Sequence, residues 1–169
     1  MRRLVRLTVA AALALVAAPV TATSSQASVW DTGPVIVTRD VTPTPRVVDL
    51  RVREHTHFDR ITIDLHGKVP GYRTRYVRTL RYDGSGNPVP LRGRKFIEFV
   101  VIPARAHNAS GPVYEGPVLR QYHLPTLRGV ALTGDFEGQV SFGFSLRSKQ
   151  QFRVSERHSP NVLRIDLHH

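Results

Sequence analysis

The sequence predicts an all-β chain, an antiparallel β-sandwich of about eight short strands. Three observations carry this. β-Branched and aromatic runs alternate with charged residues at the two-residue period of a half-buried strand. Turn residues recur about every 8 to 12 positions, the spacing of a sandwich or barrel. No apolar run keeps a helical period.

Before the first strand, Arg2, Arg3 and Arg6 precede an apolar stretch from Leu7 to Val20 and then small residues. This order predicts an export signal over residues 1–27, cleaved after Ala27, with Ala22 the alternative position. The stretch is short of the roughly 18–20 apolar residues that span a bilayer. Residues 28–45 hold Gly33, Pro34, Pro43 and Pro45 without a sustained period and read as a flexible linker. Trp30 within it is either loosely tucked or an anchor that docks the linker on the domain.

The β domain is placed at 46–169. Val48, Leu50 and Val52 alternate with Asp49, Arg51 and Arg53; Ile61, Ile63 and Leu65 alternate with Thr62 and Asp64. Tyr72, Thr74 and Tyr76 oppose Arg73 and Arg75 on a strand read as continuing to about Tyr82. Asp83 to Pro88 is a turn rich in glycine. Phe96 to Ile102 is almost continuously apolar, the pattern of a central strand covered on both faces. Pro103 to Pro125 is the longest loop-like stretch, and such loops on β scaffolds commonly carry binding residues. Strands resume at Gly129–Leu132, Val140–Leu146, Phe152–Ser155 and Val162–Leu167. Arg60–Leu65 and Leu163–Leu167 echo each other, each with an acid before its last apolar residue, which suggests that these two strands pair.

The 24 Lys and Arg against 13 Asp and Glu give a net charge of +11. The excess is almost wholly arginine, since Lys68, Lys95 and Lys149 are the only lysines. Guanidinium forks grip carboxylates and phosphates in paired hydrogen bonds. Outside the cytoplasm those partners are anionic wall polymers and lipid headgroups; nucleic acid is excluded by compartment. The absence of cysteine removes disulfides, thiol nucleophiles and thiolate metal sites.

Catalytic machinery is missing. No serine lies in a Gly-x-Ser-x-Gly elbow. Asp135–Gly138 reads as a turn, with Phe136 offered as a plug at the end of the core, and Asp135 and Glu137 would form a glycosidase pair only with help from another element. His55, His57 and Asp59 could line one side of a strand, but no second motif completes a metal site, so neither metal nor cofactor is expected. Asp59 is instead expected to accept hydrogen bonds from a turn amide.

Phe58–Ile61, Pro70–Arg73, Asp83–Gly86, Pro103–Ala104, Asp135–Gly138, Phe152–Val154 and Leu163–Leu167 together, in this order and spacing, resemble the AMIN-like domain of exported actinobacterial proteins. The resemblance implies a β-sandwich related to the AMIN domain, which targets cell-wall amidases and secretion-pore proteins to peptidoglycan. Lipoprotein relatives carry a cysteine after the leader where this chain has Ser25–Ser28.

The resulting expectation is a non-catalytic, exported module of the cell envelope or extracellular space that binds peptidoglycan or another anionic wall polymer. The ligand-binding candidates are Arg73, Arg75 and Arg78 with Tyr72 and Tyr76, extended by Arg51 and Arg53 if their strand is adjacent. Arginines would pair with carboxylates or phosphates while a tyrosine stacks on a sugar. The alternatives are an assembly module that pairs with another envelope protein through a strand edge and, with least support, a cell-wall hydrolase.

Overall fold

A computed structural model describes residues 29–169. The leader expected over residues 1–27 lies outside the described residues.

Twelve strands alternate with turns, and no helix occurs among the described residues. Eight are long: β2 (Arg46–Glu54), β3 (Phe58–His66), β4 (Gly71–Val77), β5 (Lys95–Ile102), β9 (Leu127–Phe136), β10 (Gln139–Leu146), β11 (Phe152–His158) and β12 (Asn161–His168). Each contains one of the apolar segments that mark a strand in the sequence, by alternation or, in β5, by a continuous apolar run. Four are short: β1 (Val35–Val37), β6 (His107–Asn108), β7 (Gly111–Pro112) and β8 (Leu119–Gln121).

The strands form a six-stranded sheet in the order β1-β4-β5-β10-β9-β8, a four-stranded sheet in the order β11-β12-β3-β2, and the small β6-β7 pair. All these strand pairings are antiparallel. The echo between Arg60–Leu65 and Leu163–Leu167 is a real pairing. β3 and β12 lie side by side with Ile61 opposite Ile165 and Ile63 opposite Leu163.

Alternation gives each large sheet one apolar face, and the two faces pack into a single core. Ile61, Ile63, Leu163 and Ile165 from the smaller sheet meet Ile97, Phe99, Phe142 and Phe144 from the larger, all 0 % exposed. Fully burying each such side chain contributes about 1.5–3 kcal/mol. With no disulfide available, this burial supplies the stability.

The second face of the larger sheet is covered as well. The strand read as running to Tyr82 ends at Val77, and the chain from 78 to 94 folds back over β5, β10 and β9. There Leu80, Val89 and Leu91 form a second apolar cluster with Ala131. Gly143 makes this close approach feasible: a Cβ on it would lie 2.7 Å from Leu80 Cδ1. The central strand β5 is thus covered on both sides, as its continuous apolar sequence requires.

Residues 29–45 differ from the flexible linker expected of them. β1 adds to β4 as the edge of the larger sheet. Asp31 exchanges two backbone hydrogen bonds with Phe152 on the edge of the smaller one, at 3.0 and 2.8 Å. Trp30 is an anchor: Arg153 lies 4.4 Å over its ring, and His168 meets it edge-on at 5.1 Å. A three-residue strand is too short to display a period, which is why composition alone suggested a linker. Phe136 also departs from expectation. It is 70 % exposed at the β9–β10 hairpin, where Glu137 and Gly138 both adopt positive φ and turn the chain before the ring can reach the core.

Asp59 is wholly buried at the start of β3. Its Oδ2 accepts from the amides of Thr126 and Leu127 at 2.8 and 2.7 Å, tying the smaller sheet to the first residues of β9. The expected amide acceptor role is real, although its donors come from 67 and 68 residues further along the chain.

Candidate functional site: an arginine-lined sheet face

The predicted site residues divide between two surfaces. Arg73 and Arg75 point outward from β4, and Arg78 is exposed just beyond it. Arg73 donates to Gln139 Oε1 at 3.0 Å, and Arg75 pairs with Glu98 at 3.1 Å. The tyrosines of the same strand point the other way. Tyr72 is 4 % exposed, stacks on Phe99 and donates to Glu156 Oε1. Tyr76 packs on Phe152 and donates to the Gln150 carbonyl at 2.6 Å. Both bridge the two sheets, so neither presents a ring to a sugar on the arginine face.

Burial raises the Tyr72 hydroxyl's pKa, and the neighbouring Glu156 carboxylate raises it further. Tyr114 and Tyr76 are raised mainly by burial. A hydroxyl whose folded pKa lies above its unfolded value near 10.0 keeps its stabilising contribution below that pH and loses it as pH climbs beyond. Denaturant titrations are therefore expected to show stability falling steeply above pH 10, with a shallower fall in Tyr72→Phe.

Arg51 and Arg53 do not extend the β4 surface, because β2 belongs to the smaller sheet. They join a different one. Cross-strand register places Arg51, Thr62, Arg164 and Ser155 in one outward row across β2, β3, β12 and β11. Arg53, Arg60, Asp166 and Arg153 form the next. Arg157 stands opposite Val162 in the row on the other side. Six arginines thus share one sheet face, an arrangement that only the strand order reveals.

Two carboxylates hold part of this face rigid. Asp166, 1 % exposed, takes a two-pronged hydrogen bond from Arg60 at 2.7 and 2.9 Å and a third from Arg153 at 2.9 Å. Arg51 makes a similar two-pronged contact with Asp64. Arg53, Arg157 and Arg164 form no ion pair with any described carboxylate. Partial burial lowers the Arg164 guanidinium's affinity for its proton, and the positive charges of Arg60 and Arg157 lower it further. Burial is the larger effect; the second reflects like charges gathered on one face, offset in part by Asp166.

This face opens into a groove of about 650 Å³ lined by Arg51, Arg53, Arg60, Arg157 and Arg164, with Arg120 and Tyr122 on its far side. Arg120 lies 5.3 Å over the Tyr122 ring. Both belong to the proline-rich stretch 103–125. That segment is pinned rather than free: Glu115 donates to the Val48 carbonyl and Val47 to that of Arg105. The loop and the β2 arginines therefore meet, whereas Arg73, Arg75 and Arg78 stand apart. Sequence reasoning missed Arg60, Arg120, Arg157, Arg164 and Tyr122. Only the arginine-before-acid echo of β3 and β12 hinted at the first and fourth.

The histidine–aspartate row does not form. His55 stacks on Phe58 at 4.6 Å while Asp59 faces the core. Among the described residues no group of three His, Cys, Asp or Glu side chains gathers as for a metal ion. Asp135 accepts from the Ala106 amide and from His107 Nδ1 at 2.6 Å, and so braces a hairpin.

The described residues thus form an antiparallel sandwich with one broad, unevenly neutralised cationic face. Residues 45–169 match the AMIN-like domain, and the chain belongs to that family. AMIN-like domains are associated with the cell envelope. No curated protein and no solved structure matches the chain. No helix among the described residues is long and apolar enough to cross a membrane.

Proposed function

We propose that the chain is an exported, non-catalytic module that binds peptidoglycan or another anionic wall polymer through the outer face of its smaller sheet. The observation that supports this reading best is the groove in which Arg53, Arg157 and Arg164 lack carboxylate partners beside Arg51 and Arg60, whose partners orient them. Unpaired guanidinia concentrated on one surface repel each other, and the repulsion is relieved when an anion docks. Forks already aligned by Asp64 and Asp166 lose little freedom on binding. Tyr122, partly buried beneath Arg120, is the aromatic ring that borders this groove, whereas Tyr72 and Tyr76 project between the two sheets.

Co-sedimentation with purified sacculi tests this. The chain is expected to sediment at low ionic strength and to be released by salt, because exposed charge pairs are screened over about 10 Å at 0.1 M. Arg53→Ala/Arg164→Ala is expected to weaken binding by about tenfold or more, as loss of charge-assisted hydrogen bonds implies. Arg73→Ala/Arg75→Ala should have little effect. No sedimentation at any ionic strength, or a larger loss from the β4 pair, overturns the assignment.

A further inference from the structure

A second basic recess, of about 370 Å³, lies at one end of the larger sheet. The order β5-β10-β9-β8 brings together the approach to β5, the end of β10, the start of β9 and the exit of β8. Arg92 and Arg94 come from the first, Arg147 from the second, Arg128 from the third, and Tyr122 with His123 from the fourth. The backbone between them is tightly held. Arg94 N donates to Leu146 O at 2.8 Å, Arg147 N to Thr126 O at 2.9 Å and Tyr122 N to Arg128 O at 2.7 Å, while the Gln121 amide bridges Pro90 O and Arg92 N.

None of these four guanidinia forms an ion pair with a described carboxylate, and no acidic residue lines the recess. Four arginines on a well-braced frame, without counter-charge, repel one another and add nothing to the core. One carboxylate presents two oxygens, enough for a single fork, whereas a phosphate ester presents more oxygens and more charge. Tyr122 lines both this recess and the sheet-face groove, so the two are adjacent.

We infer that this recess is a second anion site that takes a phosphate ester, built from Arg92, Arg94, Arg128 and Arg147. The assignment stands on its own lining, whatever occupies the sheet-face groove.

Calorimetric titration of the purified chain with tripolyphosphate at low ionic strength tests it, with citrate as the carboxylate control. Tripolyphosphate is expected to bind and citrate to bind at least about tenfold more weakly. Arg94→Ala/Arg147→Ala, both exposed positions, should weaken tripolyphosphate by about tenfold while Arg53→Ala/Arg164→Ala changes it by less than about twofold. In the unmodified chain, amide resonances of Gly93 and Tyr122 should shift on titration, which gives a readout independent of any variant. Displacement of tripolyphosphate by glycerol phosphate identifies an ester as the class the recess takes; no displacement even at high glycerol phosphate restricts the recess to inorganic polyphosphate and overturns the ester assignment. No tripolyphosphate binding, equal loss from both variant pairs, or citrate binding as strongly overturns the inference. Sacculus sedimentation is scored separately, so failure there and failure here are distinguishable.

Discussion

Asp59→Ala is expected to destabilise the fold by about 2–5 kcal/mol, because it leaves two buried amide donors, Thr126 N and Leu127 N, without an acceptor. The carboxylate is wholly enclosed, so water cannot replace it without opening the junction between the smaller sheet and β9. Asp59→Asn should be far milder, since the amide oxygen can still accept both bonds. Its new NH₂ would occupy the place of Oδ1, which has no hydrogen-bond partner and lies 3.7 Å from His169 Nδ1. Urea denaturation of the three proteins measures the difference. Equal losses for alanine and asparagine would show that negative charge, not hydrogen-bond acceptance, holds the junction.

Asp166→Asn couples stability to binding and is expected to move them in opposite directions. The carboxylate neutralises Arg60 and Arg153 from the middle of the sheet face. Removing its charge leaves two partly buried guanidinia uncompensated. Breaking such a pair costs about 3–5 kcal/mol when both partners are fully buried, so about 2–3 kcal/mol is expected here, where the arginines retain some water contact. The same change adds one net positive charge beside Arg53 and Arg164. Sacculus affinity at low salt is therefore expected to rise while the urea midpoint falls. Denaturation and sedimentation on the same preparation check both. If affinity falls with stability, Asp166 serves the groove chiefly by aligning Arg60, and alignment outweighs charge.

The eight long strands were legible because burial of one face imposes a two-residue period, and burial of both faces, as in β5, a continuous apolar run. β1 and β8 escaped notice because three residues carry no period, and Phe136 because hairpin geometry rather than hydrophobicity decides where its ring goes. The site was harder to read. Arg73, Arg75, Arg51 and Arg53 look equivalent in sequence, each alternating with apolar neighbours. What separates them is the sheet to which their strand belongs, a property of tertiary pairing. Arg60 and Arg164 are brought onto one face by β3 and β12, strands almost a hundred residues apart whose echo hinted at the pairing but not at its product.

The covering of the larger sheet by residues 78–94 makes the molecule one-sided. An unmodified sandwich would offer two comparable broad faces and could lie on a surface either way up. Here Leu80, Val89 and Leu91 cover much of one, and the other keeps its arginine-lined groove open. Docking through the proposed sheet-face groove would therefore give the bound chain a defined orientation, with residues 78–94 turned away from the polymer.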